Sequence, residues 1–356
     1  MSEIEMLTLN IQNDSNTSHI DHIEKNKIFS ELWKSSEKNS KKNNCIYCEK
    51  EKTSFCNSHS IPQFILKEVA DNGDIFTLNK ITELPFLKEK KGIKNAGVFK
   101  IICNDCDSRI FKEYENPDII VKDLSQMLLA QIAMKNFLSN IGKRLIEIEL
   151  YNQVDKYFFD EMINTSRIDL SEFRRGFFRS KNIIKSNKLG YKVVWDKKLD
   201  YKTPITFQNM VSLLVDLEDR TINNIYIKNN DIKIQALHIC IFPYKENTRI
   251  IVFYDMQDKR YNNFFSQFQK LGEEEKLELV NYIIFLYSEE FYINPKIDNK
   301  ILKSKELKEV AEKTVCLFSN PNNSCVELFN GAKKNFSFKN IVKITNFLSN
   351  EYKIID

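Results

Sequence analysis

Between Leu124 and Tyr151 apolar side chains return every three or four residues. Leu124, Leu128, Ile132, Met134, Leu138, Ile141, Leu145 and Ile148 mark one long amphipathic helix. The same period, carried by Ile20, Ile23, Ile28, Phe29, Leu32 and Trp33, predicts a helix over 19–34. A Ser/Lys/Asn-rich linker over 35–44 follows it, and residues 1–17 read as disordered. Residues 155–186 continue in helical spacing. Alternation then takes over: 191–195, 225–227, 232–242 and 248–254 read as strands rich in Ile, Val and Tyr, with a hairpin turn at 243–247. Helical spacing returns over 261–271, 273–291 and 301–315, and 338–348 reads as a closing helix. The chain is expected to be α+β, its second half a small antiparallel sheet with helices packed on it.

Pro117 and Asp118 punctuate the chain before the long helix. Four segments follow from this: a disordered tail and helix over 1–40, a cysteine-rich module over 41–117, a helical connector over 118–186, and an α+β domain over 187–356. No internal repeat is visible.

Composition narrows the class. Of 356 residues, 42% are hydrophobic and 29% charged, the profile of a globular chain with a core. No apolar run approaches the roughly 20 residues that cross a bilayer. The polar stretch from Met1 to Asp14 resembles neither a signal nor a transit peptide, so a cytoplasmic location is expected. Thiols stay reduced there. Of the eight cysteines, Cys56, Cys240, Cys316 and Cys325 lack paired spacing and read as small hydrophobes or free thiols.

The net charge of +4 permits nucleic-acid binding without requiring it. Its distribution is more telling. Arg174, Arg175, Arg179, Lys181, Lys185, Lys188 and Lys192 run together, with Phe177, Phe178, Tyr191 and Trp195 among them. Two readings stay open: a phosphate-tracking surface, or a solvated helix face with its aromatics in the core.

The remaining cysteines carry the chemistry. Cys45 and Cys48, then Cys103 and Cys106, form two C-x-x-C knuckles, and two such pairs supply the four soft ligands of a tetrahedral structural zinc. Between them lies Ser58-His59-Ser60-Ile61-Pro62. His59 is one of only four histidines and a candidate general base. If a helix starts at Cys106, then Asp107, Phe111 and Glu115 fall near one face at i, i+4 and i+8. His19 and His22 read as exposed residues at a helix start, and His238 as a core or edge histidine within a strand.

C-x-x-C, then S-H-x-I-P, then C-D-x-x-x-F-x-x-x-E resembles the zinc-knuckle subgroup of the HNH-type, ββα-metal (treble-clef) endonucleases. The matching residues are Cys45, Cys48, Ser58, His59, Ile61, Pro62, Cys103, Cys106, Asp107, Phe111 and Glu115, within about 40–120. The resemblance implies a metal-dependent endonuclease that hydrolyses DNA phosphodiester bonds, the kind of nuclease found in anti-phage defence or mobile elements. By it the four cysteines hold structural zinc and His59 is the base. Asn95 is the counterpart of the middle asparagine, and Asp107 with Glu115 holds a catalytic Mg²⁺ or Mn²⁺.

Lys90, Lys91, Lys94 and Arg109, with Arg174, Arg175 and Arg179, would meet the backbone of double-stranded DNA. A regulatory protein or ligand would act through the C-terminal domain, and no membrane is involved. Ser58 stands where many such sites carry a metal-binding Asp or His, and no histidine occupies the third motif position. A non-catalytic zinc-stabilised module that binds nucleic acid or protein is the alternative.

Overall fold

The computed structural model describes residues 22–78, 81, 90–120, 124–225, 233–315 and 324–354. The expected disordered tail over 1–17, His19 and Cys316 lie outside them. In chain order the elements are α1 (His22–Asn39), β1 (Ser58–His59), α2 (Gln63–Val69), β2 (Asp74–Phe76), β3 (Lys90–Gly92), β4 (Val98–Phe99), α3 (Asn104–Ile110), α4 (Pro117–Ile120) and α5 (Gln126–Asp155). There follow α6 (Asp160–Ser186), β5 (Tyr191–Leu199), β6 (Ile205–Val211), β7 (Leu237–Tyr244), β8 (Asn247–Asp255), α7 (Tyr261–Gln269), α8 (Glu273–Tyr287), β9 (Phe291–Ile293), α9 (Asn299–Leu302), α10 (Lys305–Val315) and α11 (Cys325–Asn335).

Seven strands form one antiparallel sheet in the order β3-β2-β9-β6-β7-β8-β5. Its middle strand is β6, and beside it runs the β7–β8 hairpin, closed between Tyr244 and Asn247 as the alternation predicts. Both faces are covered. Ile239, Ile241, Ile250, Val252 and Tyr254 point into a core shared with α7, α8 and α10. Their neighbours Cys240, Phe242, Ile251 and Phe253 point the other way, into a core shared with α5, α6 and the cysteine-rich segment. A sheet buried on both faces reads as continuous apolar sequence, which is how β7 and β8 read.

The sheet is therefore larger than the small one expected, because the N-terminal third contributes to it. Phe76 of β2 pairs with Ile293 of β9, and β3 pairs along β2 through Phe76↔Lys90. Strand β6, with Gln208 and Asn209 at its middle, and the three-residue β9 were not expected at all.

Three helix boundaries also differ. Residues 35–39 belong to α1 rather than to a linker, since Ser36 is buried against α5 and its hydroxyl accepts from Gln153 at 2.8 Å. The helix expected over 273–291 stops at Tyr287, and Phe291 begins β9. The closing helix over 338–348 is absent; only Phe338–Asn340 makes a single 3₁₀ turn. The helical turns form earlier, at α11, where Ser324 and Glu327 make a capping box. Phe347 and Leu348 still reach the core as irregular chain. Asn281 holds them there, accepting from the Phe347 amide at 3.1 Å and donating to the Thr345 carbonyl at 2.9 Å.

Candidate functional site

The four cysteine sulfurs Cys45, Cys48, Cys103 and Cys106 lie within 4.8 Å of one another, close enough to bind a metal ion. Local structure makes this cluster. The first knuckle is a tight turn in which the Glu49 amide donates to the Cys45 carbonyl at 2.8 Å, with Glu49 at φ 61°. The second knuckle is the start of α3, with Cys103 at its N-cap. The knuckles are tied together where the Cys103 amide points at the Cys45 sulfur, 3.3 Å away. A Lys50 backbone amide hydrogen bond draws the Cys48 thiol down to about 7, whereas burial raises Cys45 and Cys106. Four soft donors, three of them with an N–H group nearby, suit a structural metal such as zinc.

A second clamp comes from α6. Lys181 donates to the Tyr47 carbonyl at 2.6 Å and lies 4.4 Å from the centre of the Tyr47 ring.

Beside the cluster, β1 and β4 form a two-stranded antiparallel sheet, pairing Ser58↔Phe99 and His59↔Val98. The turn over 93–97 brings the chain back over His59. The Ser60 amide donates to Gly97 at 2.9 Å, and Gly97 has φ +62° with no room for a Cβ, which would sit 2.2 Å from the Ser60 hydroxyl oxygen. The Ile93 and Lys94 carbonyls act on the His59 ring, while its Nε2 is buried with no hydrogen-bond partner among the described residues. Burial pushes the imidazole below its ordinary value; Glu115 opposes this and Lys135 reinforces it.

Asp107, Phe111 and Glu115 do share a face, through backbone bonds from Phe111 to Asp107 and from Glu115 to Phe111. What they face is the ammonium of Lys135 on α5. It lies 3.2 Å from Asp107 Oδ1, 3.3 Å from Glu115 Oε1 and 2.8 Å from Ser58 Oγ, over the Phe111 ring at 4.1 Å. Ser58 Oγ in turn donates to Asp107 Oδ1 at 2.7 Å, and the Cys56 thiol points at Oδ2 from 3.5 Å. Lys135 is fully buried. It escaped the sequence reading although its signal was present: a lysine at the buried positions of an apolar stripe, four residues after Gln131 and three before Leu138. Lysine is almost never buried so completely unless it is paired.

Among the described residues, the cysteines are the only group of three or more such donors drawn this close together. His59, Asp107 and Glu115 are neighbours, but they do not converge on one point as cation ligands.

The expected phosphate contacts separate into two sets. Lys94 and Asn95 are exposed in the turn over 93–97, and Lys90 and Lys91 lie on β3 at the sheet edge. Arg109 reaches toward the Cys106 sulfur at 4.0 Å. The other set is on α6: Arg174 and Arg175 are exposed, while Arg179 is ion-paired with Asp255. An open groove there is lined by Arg175, Phe178, Arg179, Lys185, Lys188 and Leu189. Phe177, Tyr191 and Trp195 are buried, so of the aromatics in this stretch only Phe178 is exposed.

His238 is a core residue. Its Nδ1 lies 3.0 Å from Asn136 Nδ2, its ring stacks on Phe253, and burial lowers it to about 3, so it is neutral. No helix among the described residues is long and apolar enough to cross a membrane. No family model, no curated protein and no solved structure matches this chain.

Proposed function

We propose that the chain is an HNH-like endonuclease that hydrolyses DNA phosphodiester bonds, with His59 as its general base. The observation that carries this reading is the state of His59. It sits on the first strand of a strand–strand–helix unit beside the Cys₄ cluster, under a turn whose Ile93 and Lys94 carbonyls act on its ring, with Nε2 left without a partner. A buried nitrogen without a partner costs about 1–3 kcal/mol, and among the described residues His59 Nε2 is the only imidazole nitrogen in that state. With the imidazole held neutral, Nε2 keeps a lone pair for a proton at neutral pH.

The chemistry follows from that lone pair. Nε2 takes a proton from water, and the oxygen attacks phosphorus as the bond to the 3′-oxygen breaks. The leaving oxygen takes its proton from solvent, and the imidazolium returns its own. The Cys₄ metal holds the frame, and exposed Lys94, Asn95 and Lys90 are placed to contact the phosphate backbone.

The test is nicking of supercoiled plasmid in Mg²⁺, in Mn²⁺ and in chelator, with bound zinc quantified in parallel. His59→Ala should lower cleavage by at least a hundredfold with zinc retained. A second reading, a zinc-stabilised module that binds nucleic acid without cutting it, is favoured by one feature: both candidate ligand carboxylates are engaged by Lys135. DNA shifted in gels but never cut, and unaffected by His59→Ala, would establish that reading instead.

A further inference from the structure

We propose that the ammonium of Lys135 is the resident cation of this centre, held by Asp107 and Glu115 in place of the divalent ion that the resemblance implies. Its bearing on cleavage rests on the nuclease reading above; the charge balance itself does not.

The residues do not fit a divalent ion. Mg²⁺ or Mn²⁺ needs carboxylate oxygens free to approach to about 2.0–2.2 Å in a nearly octahedral shell. Asp107 Oδ1 is already shared by the Ser58 hydroxyl at 2.7 Å and Lys135 at 3.2 Å, and Oδ2 faces the Cys56 thiol. An ammonium has three donors, and each has an oxygen here: Ser58, Asp107 and Glu115. Its other side is closed by aromatic rings, Phe111 at 4.1 Å, Tyr114 at 5.5 Å and Phe99 at 5.9 Å. A cation placed beside Asp107 and Glu115 would meet like charge at close range with little water to screen it.

Three separate elements converge to make this arrangement: β1 through Ser58, α3 and the turn after it through Asp107 and Glu115, and α5 through Lys135. The lysine comes from outside the 40–120 stretch that carries the resemblance. The replacement of the metal-binding Asp or His by Ser58 then has a physical reason, because a hydroxyl accepts from an ammonium and donates onward to Asp107. The departure from the family pattern at Ser58 is thus explained by one lysine. Lys135 is a positioning residue here, since it touches no solvent in this structure.

The experiment is a Mn²⁺ titration of the full-length, zinc-loaded protein followed by electron paramagnetic resonance of free Mn²⁺. Wild type should show no stoichiometric site at millimolar Mn²⁺, and Glu115→Gln should leave its titration unchanged. Lys135→Met, with the ammonium gone and both carboxylates released, should gain one site at least tenfold tighter. Adding Asp107→Asn to that variant should abolish the gain. One Mn²⁺ per wild-type chain, lost on Glu115→Gln, would overturn the proposal, as would a folded Lys135→Met protein that binds none. If Lys135→Met does not fold, the wild-type and Glu115→Gln titrations decide the matter alone. Failure of the nuclease reading would appear elsewhere, as absent nicking with these titrations unchanged.

Discussion

The hydroxyl of Tyr114 lies 2.7 Å from the carbonyl of Ser60, the residue after His59. The same oxygen is 2.9 Å from Gln208 Oε1, and Gln208 Nε2 donates to Asn136 Oδ1 at 3.0 Å, whose amide meets His238. A buried polar chain thus runs from the strand bearing His59, through α5, to the middle of the sheet. Tyr114→Phe removes its first link, the one hydroxyl hydrogen that these two buried acceptors share. The expected loss is about 1–3 kcal/mol of stability, read as a lower urea midpoint at unchanged slope, with the cysteine cluster intact.

Gly97 is required by two independent constraints, its positive φ and the Ser60 side chain where a Cβ would go. Gly97→Ala should destabilise by about 1–3 kcal/mol. Because Gly97 accepts from the amide of Ser60, the residue next to His59, cleavage should fall further than the thermal midpoint alone would explain. A variant with an unchanged midpoint and full activity would show that the turn shifts freely.

The Cys₄ cluster is close enough to hold a metal ion, and ligation of one there would be folding free energy. Cys45→Ser should lose zinc by elemental analysis and expose the 45–115 segment to amide exchange. Retention of one zinc per chain with normal protection would refute the tetrahedral assignment.

His238 makes the fold sensitive to acid. Its folded-state value is depressed to about 3, while the unfolded chain takes up the same proton near 6.5. Between those values the unfolded state binds more protons, so stability falls as pH drops, by up to about 1.4 kcal/mol per pH unit from this group. His238→Gln should therefore show a flatter dependence of unfolding free energy on pH between 6.5 and 4 than wild type. Parallel curves would mean that another group carries the acid sensitivity.

Cleavage should follow the neutral form of His59. Burial depresses its imidazole, so the rate should rise with pH through a midpoint below the ordinary histidine value and level off by neutrality. A midpoint above that value would argue against His59 as the base.

What was legible in the sequence was what local spacing determines. Knuckle cysteines are brought together by turns of a few residues, and the β7–β8 hairpin and long α5 follow from alternation and period. The i, i+4, i+8 relation of Asp107, Phe111 and Glu115 was legible too, but the group they face was not. Lys135 lies twenty residues beyond Glu115 on another helix, and only tertiary packing sets it under those carboxylates. Strand β6 was hidden because Gln208 and Asn209 interrupt its apolar pattern, their amides being satisfied by Asn136 and Asn140 across the core. Strand β9 was hidden by brevity: three residues after a helix carry little pattern, and pairing with β2 and β6 makes them a strand.

The pairing of Phe76 with Ile293 has a consequence for how this molecule is made. Strand β2 is synthesised early, yet the edge it docks on is built from residues more than two hundred positions downstream. On the ribosome the cysteine segment can form its knuckles while β2 and β3 still wait for β9 to emerge. A chain interrupted before Phe291 therefore carries a β2–β3 pair with no sheet edge to dock on. The His59 centre acquires its final support only when translation is nearly finished.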